Sequence, residues 1–237
     1  MSSDEKIVLT YLDIRGLAEP VRLALTIGGL SFEDRRVTYE DVAKLRASGE
    51  LPFGQVPIIQ HLGRTFAQSG ALLRWAGNKA GLYPLEFQPE IDMFLECLGD
   101  MKRALAPQWY GNALARSPVD GQLFPGTDLS GDQRASVASA LNSTVMPTRC
   151  MQLEALAGKG GGPFVCGKTM TIADLELYVM VEGIEDGTYC EGLSKSLLRE
   201  CQNLRNAAGL VASHEKVAAW NAKQAARGGR DLPVTAQ

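Results

Sequence analysis

Histidine is scarce in this chain of 237 residues, which has only His61 and His214. A His-ligated metal centre or a His-based triad has little material to work with, and no metal site is expected. Cysteine occurs five times, at 97, 150, 166, 190 and 201, an odd number with no CxxC pair. That spacing argues against a disulfide framework or a zinc site. It fits a reducing compartment, so a cytoplasmic location is expected. No apolar stretch approaches the ~20 residues of a membrane span. The start, MSSDEKIVLTY, is polar and acidic, with neither a basic region nor a long apolar one, so no secretory signal is expected. There is no basic run, and the net charge of -3 mixes both signs, which makes nucleic acid an unexpected partner. Against these absences stand 45% apolar and 22% charged residues, the composition of an ordinary globular protein. The length suits one large domain or two smaller ones.

Residues 7–83 alternate short apolar runs with helical patterns. Residues 7–11 read as a strand. Residues 17–27 carry apolar side chains at 17, 18, 21, 24 and 25, a helical stripe ended by Gly28-Gly29. Residues 32–37 read as a second strand, and Thr38 with Asp41 as a capped helix start. Residues 57–60 and 65–67 are short strands around a turn at Leu62-Gly63, and residues 69–80 are a helix closed by Gly81. The predicted order is βαβαββα, with the first two strands parallel and the last two a hairpin. Residues 84–88 read as a Pro-bounded linker. Beyond them every strong pattern is helical: a face of Ile91, Phe94, Leu95, Leu98 and Leu105, then helices over 134–157, from Thr171-Asp174 onward, near 194–206 and over 215–226. Residues 110–131, rich in Gly, Pro, Ser and Asp, read as a long surface loop.

Three local patterns could carry chemistry. Tyr11 ends the first strand, at the carboxyl edge where open α/β sheets bind ligands. A phenol with pKa near 10 is a poor base at pH 7 but a good donor to an anion, and a thiol of pKa about 8.5 is shifted toward its thiolate by such a donor. A core tyrosine with a satisfied hydroxyl has the same signature. In Gln55-Val56-Pro57 the proline precedes an apolar strand and suggests a cis bond, which would free the Val56 backbone to pair with an extended ligand. An ordinary loop proline is the other reading. Gln68-Ser69 opens a helix whose first amides form an anion site, with Ser69 as a natural N-cap.

The order and spacing of these patterns resemble the cytosolic glutathione S-transferases of the tyrosine type. TYLDIRGLAEPVRLAL at 10–25 resembles the mu and sigma classes. LPFGQVPII at 51–59 and AQSGALLRWAGNKAGLYP at 67–84 are similar to the sigma and pi classes. TIADLELY at 171–178 resembles the capping motif of the superfamily's helical domain.

The resemblance implies a thioredoxin-like glutathione-binding α/β domain over 1–83, a linker at 84–88 and an all-helical domain over 89–237 that carries the electrophile pocket. Tyr11 would stabilise the thiolate. Gln55, Val56 and Pro57 would hold the cysteinyl and glycyl parts of glutathione, Gln68 and Ser69 its γ-glutamyl carboxylate, and Arg46 its glycyl carboxylate. Asp100 would reach the γ-glutamyl amine in a neighbouring subunit. Phe53 resembles an aromatic plug of the homodimer interface. Ile14, Trp109, Tyr110 and Tyr178 are candidates for the electrophile pocket, each equally readable as core. Two departures stand out: Leu17 lies where several classes place an arginine near the sulfur, and Val42 where a tryptophan commonly contacts glutathione. The implied activity is conjugation of glutathione, a co-substrate with no tightly bound cofactor beside it, to small hydrophobic electrophiles in detoxification. Two alternatives stay open. One is a prostaglandin D synthase-like isomerase, for which Glu96 and Asp100 offer carboxylates but Gly99 lacks a third. The other is a non-catalytic ligand-binding or structural relative.

Overall fold

The computed structural model describes residues 6–110, 131–189 and 192–227, with only the backbone described for 106–110 and 134. By its internal contacts the chain forms two compact units. One is the N-terminal segment up to Gln88 joined by residues from Ser213 onward; the other runs from Pro89 to Ala212.

The first unit is built on a four-stranded sheet in the order β2-β1-β3-β4. Strand β1 (Ile7–Leu12) pairs in parallel with β2 (Phe32–Val37), and antiparallel with β3 (Ile58–His61), which forms a hairpin with β4 (Arg64–Ala67). In β1, Ile7, Leu9, Thr10 and Tyr11 are all buried, as expected of a central strand covered on both faces. Helices α1 (Glu19–Ile27), α2 (Tyr39–Ala47) and α3 (Ser69–Ala80) complete the βαβαββα order read from the sequence. A 3-10 turn over Gly16–Ala18 leads into α1, with Pro20 in its first turn, where a missing N–H costs nothing. Every residue of α1 from Glu19 to Leu25 is buried. Gly28 lets α1 end hard against α3: a Cβ there would stand 2.7 Å from the Ala80 Cβ. Thr38 and Asp41 form the reciprocal capping box of α2. Below α2 a small core of Val37, Val42, Leu45, Leu51 and Ile58 anchors the loop 51–57.

Helix α9 (Glu215–Ala226) belongs to this unit although it comes last in the described chain. The Trp220 ring packs on Phe32 with centroids 5.9 Å apart, and Lys216 Nζ donates to the Ile27 carbonyl at the C-terminus of α1.

The second unit contains α4 (Gln88–Tyr110), α5 (Gly131–Ala140), α6 (Met146–Lys159), α7 (Ile172–Asp186) and α8 (Gln202–Ser213), except that Gln88 of α4 and Ser213 of α8 are counted in the first unit. Helix α7 is buried on nearly all sides, the signature of a central helix. Its N-terminus is a buried capping box in which Asp174 accepts from the Thr171 N–H and hydroxyl and also from the Val165 N–H. Lys102 of α4 pairs with Glu176 of α7.

Three local expectations are corrected. The helix predicted over 134–157 is interrupted by a π-helical turn at Leu141–Val145, where Asn142 turns its side chain to the backbone of Gly192 and Ser194. The helix predicted near 194–206 starts only at Gln202, because Glu154 of α6 caps it by accepting from the Asn203 and Leu204 amides. Within residues 84–88 a 3-10 turn forms at Leu85–Phe87 and α4 starts at Gln88, and the division between the two units falls between Gln88 and Pro89. Ser69 is the first residue of α3 and Gln68 its N-cap. The predicted loop over 110–131 lies, from residue 111 to 130, outside the described residues.

Candidate functional site

Tyr11 stands one residue before the end of β1, with its side chain 5% exposed. Its hydroxyl oxygen accepts from the Leu17 N–H at 3.2 Å. Burial raises its pKa above the ordinary tyrosine value, while the Leu17 amide and the Arg22 charge pull the other way. The group is therefore a neutral phenol at pH 7, and because its oxygen accepts from the backbone, its own hydrogen is directed elsewhere. Gly16, at φ +45°, makes room for it: a Cβ there would lie 2.7 Å from the hydroxyl oxygen. Leu17 thus contributes through its backbone, and Ile14 is half-buried on the same loop.

Arg22 is not among the residues the sequence singles out, yet it organises this loop. It is fully buried, with its guanidinium carbon 5.7 Å from the Tyr11 ring centroid. It donates to the carbonyls of Ile14 and Arg15 and to the carboxylates of Glu19 and Asp34. The readable signal is a Glu/Arg pair three apart, Glu19 and Arg22, inside an otherwise apolar helix. Trp220, whose indole N–H donates to Glu19, is too distant in sequence to be found that way.

The Val56–Pro57 bond is cis. Arg46 Nε donates to the Gly54 carbonyl at 2.8 Å, which ties α2 to the loop bearing exposed Gln55 and half-buried Val56. Phe53 on that loop is 58% exposed. Val42 is buried in the small core, so it offers nothing to solvent. On the same helix Tyr39 is exposed, and close enough to Tyr11 to influence its ionisation. Gln68 adopts φ +74°, a conformation that non-glycine residues rarely hold and that collects at ligand sites. Its side chain does not cap α3, and half-buried Ser69 provides the first helical amide.

The remaining candidates lie in the helical unit. Asp100 on α4 pairs with Arg103 and lies 3.8 Å from Arg149 of α6. Tyr178 is 2% exposed within α7, and its hydroxyl donates to Glu182 at 2.8 Å. Trp109 and Tyr110 fall at the end of α4, and their side chains lie outside the described residues. Among the described residues, no three His, Cys, Asp or Glu side chains converge as a cation site requires. No described helix is long and apolar enough to cross a membrane.

A thioredoxin-like sheet with a cis-proline turn, followed by a helical unit, defines the class of this protein. Comparison with known proteins supplies the family. The model of the glutathione S-transferase N-terminal domain matches residues 7–78, and that of the C-terminal domain residues 128–224. Glutathione S-transferase 1 of Ascaris suum is 31% identical over 173 residues, covering 70% of this chain and 74% of that protein. A glutathione S-transferase of Anopheles gambiae is 29% identical, covering 90% and 94%. The crystal structure of the glutathione S-transferase from Ascaris lumbricoides superposes with a TM-score of 0.72 at 26% identity, covering 92% of this chain and 97% of that one. The chain belongs to the glutathione S-transferase family.

Proposed function

We propose that this protein is a tyrosine-type glutathione transferase in which the Tyr11 hydroxyl donates a hydrogen bond to the glutathione sulfur, stabilises the thiolate and leaves it to attack a small hydrophobic electrophile. The observation that carries this reading is the buried, neutral Tyr11 phenol, whose oxygen accepts from the Leu17 amide and whose hydrogen remains to be given. Each unit by which such a donor lowers the thiol pKa is worth about 1.4 kcal/mol of preference for the thiolate. A phenol held above its ordinary pKa acts here as a donor and not as a base.

The same reading gives the cis-Pro57 turn the task of presenting the Val56 backbone and Gln55 to the peptide of glutathione. Gln68, held at positive φ, and Ser69 at the uncapped start of α3 take the γ-glutamyl carboxylate, favoured there by the first-turn amides. Arg46, adjacent to the Gly54 carbonyl, takes the glycyl carboxylate. Asp100 of the partner subunit would complete the set in a homodimer plugged by Phe53. Four free cysteines among the described residues suit a cytoplasmic enzyme, and conjugation of small hydrophobic electrophiles would serve detoxification. Tyr11→Phe tests the proposal: conjugation of an aryl halide collapses by a factor of roughly 100 to 1000 while glutathione still binds in calorimetry. Full activity in that variant sinks it.

A further inference from the structure

The loop that places Tyr11 is held from behind by a buried polar chain ending on α9. Trp220 Nε1 donates to Glu19 Oε1 at 2.8 Å, and Glu19 Oε2 accepts from Arg22 Nη1 at 3.1 Å. The same Nη1 donates to the Ile14 carbonyl at 2.9 Å and the Arg15 carbonyl at 3.1 Å, while Arg22 Nε donates to Asp34 at 2.9 Å. Trp220, Glu19 and Arg22 are all buried. A second line runs beside it. Arg36 donates to Gln224 of α9 at 3.0 Å, to Asp34 at 2.7 Å and to Asp13 at 3.2 Å. Arg15 Nε lies 3.8 Å from Glu19. Both lines join α9 to residues 13–15, and two residues further on Leu17 delivers the N–H that Tyr11 accepts.

Apolar packing alone, through the fully buried Val217, would attach α9 to the sheet unit. An indole N–H aimed at a buried carboxylate does something more specific. It fixes which way Glu19 points, Glu19 fixes one edge of the Arg22 guanidinium, and that edge fixes two carbonyls of the Tyr11 loop. Buried ionic groups carry a large penalty when a partner is lost, so this chain has little freedom to relax. A hydrogen bond to a forming thiolate is sensitive to small displacements.

We propose that α9 is a positioning element for the thiolate-stabilising hydroxyl, with Trp220 acting through Glu19 and Arg22 to hold the 14–17 loop where Tyr11 meets the sulfur. The inference rests on the role given to Tyr11 above.

The test follows the ultraviolet absorbance of the bound glutathione thiolate, and kcat for an aryl halide, across pH in the full chain. Trp220→Phe keeps most of the ring's packing and removes the N–H. It raises the pKa of the bound thiol by roughly half a unit to one unit. It lowers kcat several-fold near about pH 6.5, a deficit that closes above about pH 8.5, where the thiol ionises unaided. KM for glutathione stays within about twofold. Glu19→Gln, which keeps an acceptor for Trp220, retains more activity than Glu19→Ala. Val217→Ala, which loosens α9 without touching the polar chain, lowers the melting temperature and leaves the thiol pKa in place. If Trp220→Phe lowers only the melting temperature, or Val217→Ala moves the thiol pKa as far, the positioning role is overturned. Should Trp220→Phe not fold, Gln224→Leu shifts the thiol pKa in the same direction through Arg36, and an unshifted value overturns the proposal. Tyr11→Phe separates the two levels. If it leaves the thiol pKa unmoved, the reading of Tyr11 itself fails; if it raises the pKa while the α9 variants do not, only the positioning role fails.

Discussion

At the scale of single residues, the site depends on atoms that are absent as much as on those present. Gly16 is the clearest case. Its φ of +45° disfavours any side chain, and a Cβ would press to 2.7 Å from the Tyr11 hydroxyl oxygen. Gly16→Ala must therefore move the phenol or the loop. We expect kcat to fall by about 10- to 100-fold, since displacements near 1 Å in a catalytic group cost on that order. Steady-state kinetics beside a calorimetric titration checks this, and an Ala variant with unchanged kcat would show that the hydroxyl is not where the chemistry occurs. Tyr11, Pro57 and Gln68 can be picked out in the sequence because each sits at a recognisable strand or helix end. The strain at Gln68 and the grip of Arg22 on the Ile14 carbonyl cannot, because positive φ in a non-glycine residue and a buried arginine are set by tertiary surroundings that local pattern does not encode.

At the scale of elements, caps decide where helices begin. Asp174 is buried at the start of α7, and burial pushes its carboxyl up to about 6, against the hydrogen bonds from Val165 and Thr171 that pull it down. A carboxyl whose folded pKa lies above its unfolded value adds stability in full below the unfolded value, near pH 4, and that contribution is lost as pH rises through about 6. Asp174→Asn does not titrate, so its cost relative to wild type is greater at about pH 5 than at about pH 7.5, by on the order of 1 kcal/mol. Urea unfolding at the two pH values measures it, and a cost that grows with pH would contradict the assignment. Glu154→Ala leaves the Asn203 and Leu204 amides without their carboxylate and should cost roughly 1–2 kcal/mol by the same method. The two cases also explain what can be read in advance. Thr171 and Asp174 lie three apart, so their box is local and legible in the sequence. The carboxylate that starts α8 comes from α6, about fifty residues earlier, and the predicted helix accordingly begins too soon. The sheet order is legible because apolar runs and the Leu62-Gly63 turn are local signals of the same kind, both turn residues holding positive φ in the β3–β4 hairpin.

At the scale of the whole molecule, the question is what covers Phe53. Phe53 is 58% exposed on a loop tied by Arg46, and single exposed apolar residues are common enough that exposure alone decides nothing. The loop's anchoring matters more, since a side chain presented on a fixed backbone loses little entropy when a partner receives it. If the chain forms the proposed two-fold homodimer with Phe53 as its plug, each Phe53 inserts into the other copy and one substitution removes two contacts. Burying a phenylalanine is worth about 1.5–3 kcal/mol, and the pair about 3–6 kcal/mol, which is roughly two to four decades in the dissociation constant. Wild-type protein should sediment as a dimer at micromolar concentration, and Phe53→Ser should shift toward monomer in the same range without a large change in circular dichroism. Because Asp100 is assigned to the partner's glutathione, the monomeric variant should also bind glutathione more weakly, and Asp100→Asn in the dimer should reproduce that weakening with no change in sedimentation. A wild-type monomer, or a Phe53→Ser protein still dimeric at nanomolar concentration, would remove Phe53 from the interface and Asp100 from the site together.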